Sequence, residues 1–67
     1  MEEDLILFKD YRIAMFELTQ LGAVLTSLVT VPNGTFTRVS ITIDNVIHHE
    51  DNEDLMLAAI RLRNQII

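Results

Sequence analysis

Hydrophobic residues change their period along this chain, and the changes divide it into elements. Tyr11, Ala14, Met15, Leu18 and Leu21 recur at helical spacing, strict alternation fails at Glu17, and Gly22 stands where a helix would stop. The apolar run Leu5 to Phe8 reads in two ways. It forms the first turns of the same helix, starting in Glu2-Glu3-Asp4, or a short strand before an Asp10-capped helix; a β-meander over residues 5 to 20 is a third option. Val31-Pro32-Asn33-Gly34-Thr35 then gathers the only proline and one of the two glycines into a turn between two alternating segments. A type I turn followed by a Gly34 bulge predicts a three-residue loop, with Val31 facing Thr35, Ser27 facing Val39 and Leu25 facing Ile41. In that register Leu28 and Phe36 stand together on the polar face, where a lone domain has little reason to place them. Asn33-Gly34-Thr35 also matches the N-glycosylation acceptor pattern, a match that the turn alone explains.

Toward the C-terminus the period returns to helical. Leu55, Ala59, Leu62 and Ile66 follow one stripe, with Ala58 beside them and Met56 and Ile60 widening it. Asp51 or Asn52 is expected to cap the helix, Glu53 and Asp54 to favour its positive first turn, and Arg61 and Arg63 its negative end. The pattern predicts a single α+β domain over residues 1–67: an antiparallel hairpin packed by an N-terminal and a C-terminal helix, α-β-β-α or β-α-β-β-α.

Composition changes this picture by making it incomplete. The 67 residues are 49% hydrophobic, more than so short a chain comfortably hides, and there is no cysteine to staple a small core. A two-stranded hairpin with open, lysine-free edges has the same need of support. Together they predict a homodimer whose sheet is extended by edge-to-edge pairing. No apolar run reaches membrane-spanning length, and the acidic start has the wrong sign for a secretory leader, so a cytoplasmic protein without membrane contact is expected.

Charge narrows the function classes further. Ten acids face five bases, and the imbalance reflects a shortage of positive charge, with Lys9 the only lysine beside four arginines. Wrapping a nucleic-acid backbone takes several bases on one face, so direct nucleic-acid binding is disfavoured. Catalytic chemistry is equally poorly provided for. His48-His49 lacks the spacing of a chelating pair, no phosphate loop or activated serine is present, and the carboxylates have no evident cleft. A non-enzymatic protein with no metal and no cofactor is the expectation. What remains is the segment 44 to 54, which holds five acids and neither lysine nor arginine.

In size, acidity, poverty of lysine and dimer-forming hairpin, the chain resembles the small phage-encoded DNA-mimic proteins, including those that block bacterial nucleoid proteins of the HU type. The resemblance is one of charge layout over the whole chain. It implies that Glu2, Glu3, Asp4, Asp44, Glu50, Asp51, Glu53 and Asp54 stand in for phosphates against the groove of a basic DNA-binding protein in the host cytoplasm. The alternative is a small adaptor or assembly factor that binds a protein partner through apolar contacts, with Leu28 and Phe36 at the contact.

Overall fold

The structure, a computed structural model, describes the backbone of residues 2–67 and the side chains of residues 5–67. Five elements follow one another: helix α1 (Glu2–Leu21), strands β1 (Ala23–Val31), β2 (Gly34–Ile43) and β3 (Val46–Asn52), and helix α2 (Leu55–Ile66). The strands form one antiparallel sheet in the order β1-β2-β3. The class is α+β with a helix at each end, and the Leu5 to Phe8 run belongs to α1.

The hairpin expected as two strands is a three-stranded meander. Segment 46–52, to which the sequence pattern assigns no strand, is β3, and it is reached through a two-residue turn at Asp44 and Asn45, with φ of 52° and 67°. Two successive left-handed residues are the signature of the type I′ turn, whose twist matches that of the strands it joins. Aspartate and asparagine tolerate this conformation because a short polar side chain can hydrogen-bond locally.

The first turn also differs from expectation. Val31 pairs with Gly34, so the loop is Pro32-Asn33 alone, and the register is shifted by one residue from the bulged form. Pro32 pre-sets the turn, and Gly34, at φ 146°, lets β2 begin at once. Because side chains alternate in a strand, a one-residue shift exchanges the faces of one strand relative to the other. Val24 and Thr26 therefore oppose Ile41 and Val39, in place of Leu25 and Ser27. Leu25, Val29 and Val31, the more apolar side of β1, turn away from the core.

Both helices cover one side of the sheet. α2 lies on β2 and β3, while α1 packs chiefly on α2 and touches β1 only slightly. The core joins Leu18 of α1, Val39 and Ile41 of β2, and Ala58, Ala59 and Leu62 of α2, with Tyr11, Met15, Val24, Ile43, Leu55 and Ile66 around it. Ala14, also fully buried, and the alanine pair of α2 keep the contacting side chains small. Burying each large side chain contributes about 1.5–3 kcal/mol, so Leu18, Ile41, Leu62 and Val39 carry much of the fold. Across the rim of this interface, Arg63 Nη1 donates to Glu17 Oε1 at 2.8 Å.

Two local devices hold the helices in place. At the end of α1 the Gly22 amide donates to the Leu18 carbonyl at 3.2 Å, and a Cβ at Gly22 would run into the Thr42 carbonyl oxygen, so only glycine allows the chain to pass so close to β2. At the start of α2 the cap is Asp54, whose Oδ1 accepts from the Met56 amide at 2.8 Å. The expected caps lie earlier, because Asp51 and Asn52 end β3; Asn52 Oδ1 instead accepts from the Asp54 amide at 2.9 Å. Glu53 falls before the helix, leaving its first turn without an acid, and Arg63 sits in its last turn as expected.

Candidate interaction surfaces

Of the eight acids of the expected phosphate-like face, the five with described side chains are spread along β3 and its two ends. Asp44 lies in the β2-β3 turn, at one end of β3, and Glu53 and Asp54 lie beyond the other end. Glu50 and Asp51, adjacent in β3, point to opposite faces of the sheet. Asp54 is engaged as the α2 cap. The side chains of Glu2, Glu3 and Asp4 lie outside the described residues. Among the described residues Asp44, Glu50 and Glu53 take part in no ion pair.

Asp51 is held by Arg38, its direct cross-strand partner. The guanidinium donates twice to the carboxylate, Nε to Oδ1 at 2.8 Å and Nη2 to Oδ2 at 3.0 Å, in the paired-fork geometry that arginine suits. This bonding lowers the Asp51 pKa below the ordinary aspartate range and raises that of Arg38. Partial desolvation opposes the effect at Asp51, and the charges of Arg38 and His49 add to it. The pair joins β2 to β3 on the open face of the sheet, so this acid is already neutralised within the chain.

His48 and His49 also face opposite sides of β3. Among the described residues no group of three His, Asp or Glu side chains is placed to hold a metal ion.

Leu28 and Phe36, expected to share one contact, are separated by the register. Phe36 opposes Val29 on the open face and is half-buried, with the Arg38 guanidinium 5.8 Å from its ring centroid. Leu28 opposes Thr37 on the helix side and is 71% exposed, because the helices stop short of this part of β1. It lines a groove with Thr26, Ser27, Thr37 and Leu55.

A further uncovered apolar surface lies on α1. Ala14 and Leu18 bury one side of this helix, while Leu5, Ile6, Ile13 and Phe16 lie on the other, Leu5 at 67% and Phe16 at 66% exposure. Lys9 and Arg12 lie between them and share their shallow surface grooves. Arg12 is also stacked 5.9 Å from the centroid of Phe8. The signal was present in the sequence as a second stripe, Ile6, Lys9, Ile13 and Phe16, at i, i+3, i+7 and i+10, running opposite the core stripe.

No protein-family model, curated protein or solved structure matches this chain. Among the described residues, no helix is long and apolar enough to cross a membrane.

Proposed function

We propose that this protein is a non-enzymatic binding module, an adaptor or assembly factor, that holds a protein partner against the outward face of α1. The observation that carries this reading is the pair of apolar faces on one helix, of which the fold covers only one. A helix apolar on two sides is stable in water when its second side has a partner. Ile6, Ile13 and Phe16 would enter the partner's apolar groove, in the helix-in-groove mode of recognition. Lys9 and Arg12 call for carboxylates along the rim of that groove. Their positive charge is local, since the whole chain carries a net charge of −5, which disfavours an anionic membrane as the occupant.

The second reading is the DNA mimic directed at a basic DNA-binding protein of the HU kind. It is favoured by Asp44, Glu50 and Glu53, which have no ion pair among the described residues, and by the lack of any lysine or arginine from 44 to 54. Its weakness is the internal use of Asp51 and Asp54.

One comparison of variants separates the readings. The immobilised protein is used to capture partners from a lysate of the organism that encodes it, beside the variants Ile13→Asp/Phe16→Asp and Glu50→Lys/Glu53→Lys. The adaptor reading expects a partner that is lost with the first variant and retained by the second. The reverse pattern, with binding that falls steeply with salt, overturns it in favour of the mimic. Capture equal in all three proteins, or binding to phosphatidylglycerol vesicles that needs Phe16, also overturns it.

A further inference from the structure

The sheet has two edges, and they differ in what they could accept. β1 is the only element without an ionisable side chain: its nine residues, AVLTSLVTV, contain no charge, no proline and no glycine. Soluble proteins protect edge strands with charges, prolines, bulges or covering elements, and β1 has none of these along most of its length. The helices leave Leu28 exposed on one side, and Leu25, 66% exposed, stands on the other. β3, at the far edge, carries Glu50 and Asp51.

We propose that two copies of this chain pair antiparallel through β1, about a twofold axis at Ser27, to form a continuous six-stranded sheet. A twofold axis perpendicular to a sheet keeps side chains on their own face, so it pairs residues symmetrically about a central one. Centring on Ser27 brings all nine residues into register. Ser27 then meets itself, Leu25 meets Val29, Val24 meets Thr30 and Thr26 meets Leu28. No charged pair is opposed, and apolar or small residues face one another along both sides. On the helix side the two Leu28 side chains become diagonal neighbours, within reach of each other and of the groove lined by Thr26, Thr37 and Leu55.

Backbone geometry supplies the bonds. Val31 and Gly34 close a two-residue turn as a hydrogen-bonded pair, and bonded pairs alternate along an antiparallel ladder. The amides and carbonyls of Val31, Val29, Ser27, Leu25 and Ala23 therefore point toward β2. Those of Val24, Thr26, Leu28 and Thr30 point outward and would form about eight hydrogen bonds across the axis. Electrostatics selects the same edge. Pairing at β3 would set the acid runs of the two copies side by side, whereas pairing at β1 leaves them at opposite ends of six strands. That is about 24 Å at ordinary strand spacing, beyond the reach of unscreened repulsion at physiological salt. The pairing is independent of the α1 surface and stands or falls separately from it.

The chain has no cysteine, so single cysteines report the register directly. Ser27 would form a non-hydrogen-bonded pair with its own copy, at a Cα separation of about 4.5 Å that a disulfide spans. Two copies of residue 25 would lie about 14 Å apart, beyond disulfide reach. Mild oxidation should convert Ser27→Cys to a covalent dimer nearly completely, leave Leu25→Cys monomeric on denaturing gels, and cross-link the double variant Leu25→Cys/Val29→Cys. Wild-type protein should sediment at twice 7.7 kDa at high micromolar concentration. Sedimentation at 7.7 kDa there, or equal cross-linking at positions 27 and 25, overturns the proposal. Circular dichroism of the reduced variants separates a lost contact from a lost fold.

Discussion

β3 ends its side of the sheet with Glu50 and Asp51 in the strand, the Arg38 ion pair on one face and α2 laid over the other, whereas β1 ends its side with nine uncharged residues that the helices hardly touch. The two strands have the same neighbour, β2, and similar hydrogen-bonding capacity. What separates them is how each manages its unpaired backbone. β3 is protected by charge and cover, while β1 is left able to template another strand. In a small domain with a thin core, an unprotected edge is a place where missing stability can be supplied by association.

The contrast can be broken most severely at the outward amides. Thr26→Pro removes an N–H that points away from β2, a position where an edge strand tolerates proline. We expect it to weaken self-association at least about a hundredfold, roughly 2.7 kcal/mol, with the monomer fold retained. His49→Pro, the corresponding change on β3, should leave the sedimentation profile unaltered. Gly22→Ala comes next. It forces a Cβ against the Thr42 carbonyl at the junction of α1 and β1, and overpacking of this kind costs about 1–3 kcal/mol in urea unfolding. Its effect should be greatest on hydrogen exchange in β1 and least in β3, which α2 holds independently.

The smaller effects lie on the protected side. Asp54→Ala removes the α2 cap and should cost about 1 kcal/mol, measurable as a shift in the urea midpoint without change in slope. Asp51→Asn gives the smallest effect, a slight loss of stability at neutral pH. The sign follows from the lowered Asp51 pKa: the unfolded state binds the proton more readily. The contribution of the pair is therefore complete above the unfolded aspartate value and is lost as the pH falls through the lower, folded one. The wild-type advantage over the asparagine variant should disappear across that acid window. An advantage that persisted below it would mean that Asp51 acts through packing instead of charge.

These contrasts explain which parts of the molecule were legible in its sequence. The α2 stripe was, because Leu55, Ala58, Ala59, Leu62 and Ile66 repeat one period with little competition. The position of the first turn was also legible, while its register was not. Gly34 can serve either as the left-handed end of a loop or as the first residue of a strand, and local chemistry permits both. β3 was hidden by its polarity. His48, His49, Glu50 and Asp51 suit a solvated loop as well as they suit a charged edge strand, and Asp44-Asn45 forms its turn without the usual glycine. The internal use of Asp51 was hidden for a related reason, since its bonding to Arg38 depends on the pairing of β2 with β3. The outward α1 stripe was present in the spacing but lay behind a stronger core stripe on the same helix.

The most direct test of the difference between the edges is residue-resolved amide hydrogen exchange at two protein concentrations, one far below and one far above the self-association midpoint. The outward amides of Thr26 and Leu28 should exchange quickly when dilute and be protected when concentrated, while those of His49 and Asp51 should exchange quickly at both. Protection of Thr26 and Leu28 that did not change with concentration, or protection that rose at His49 and Asp51 instead, would contradict the account.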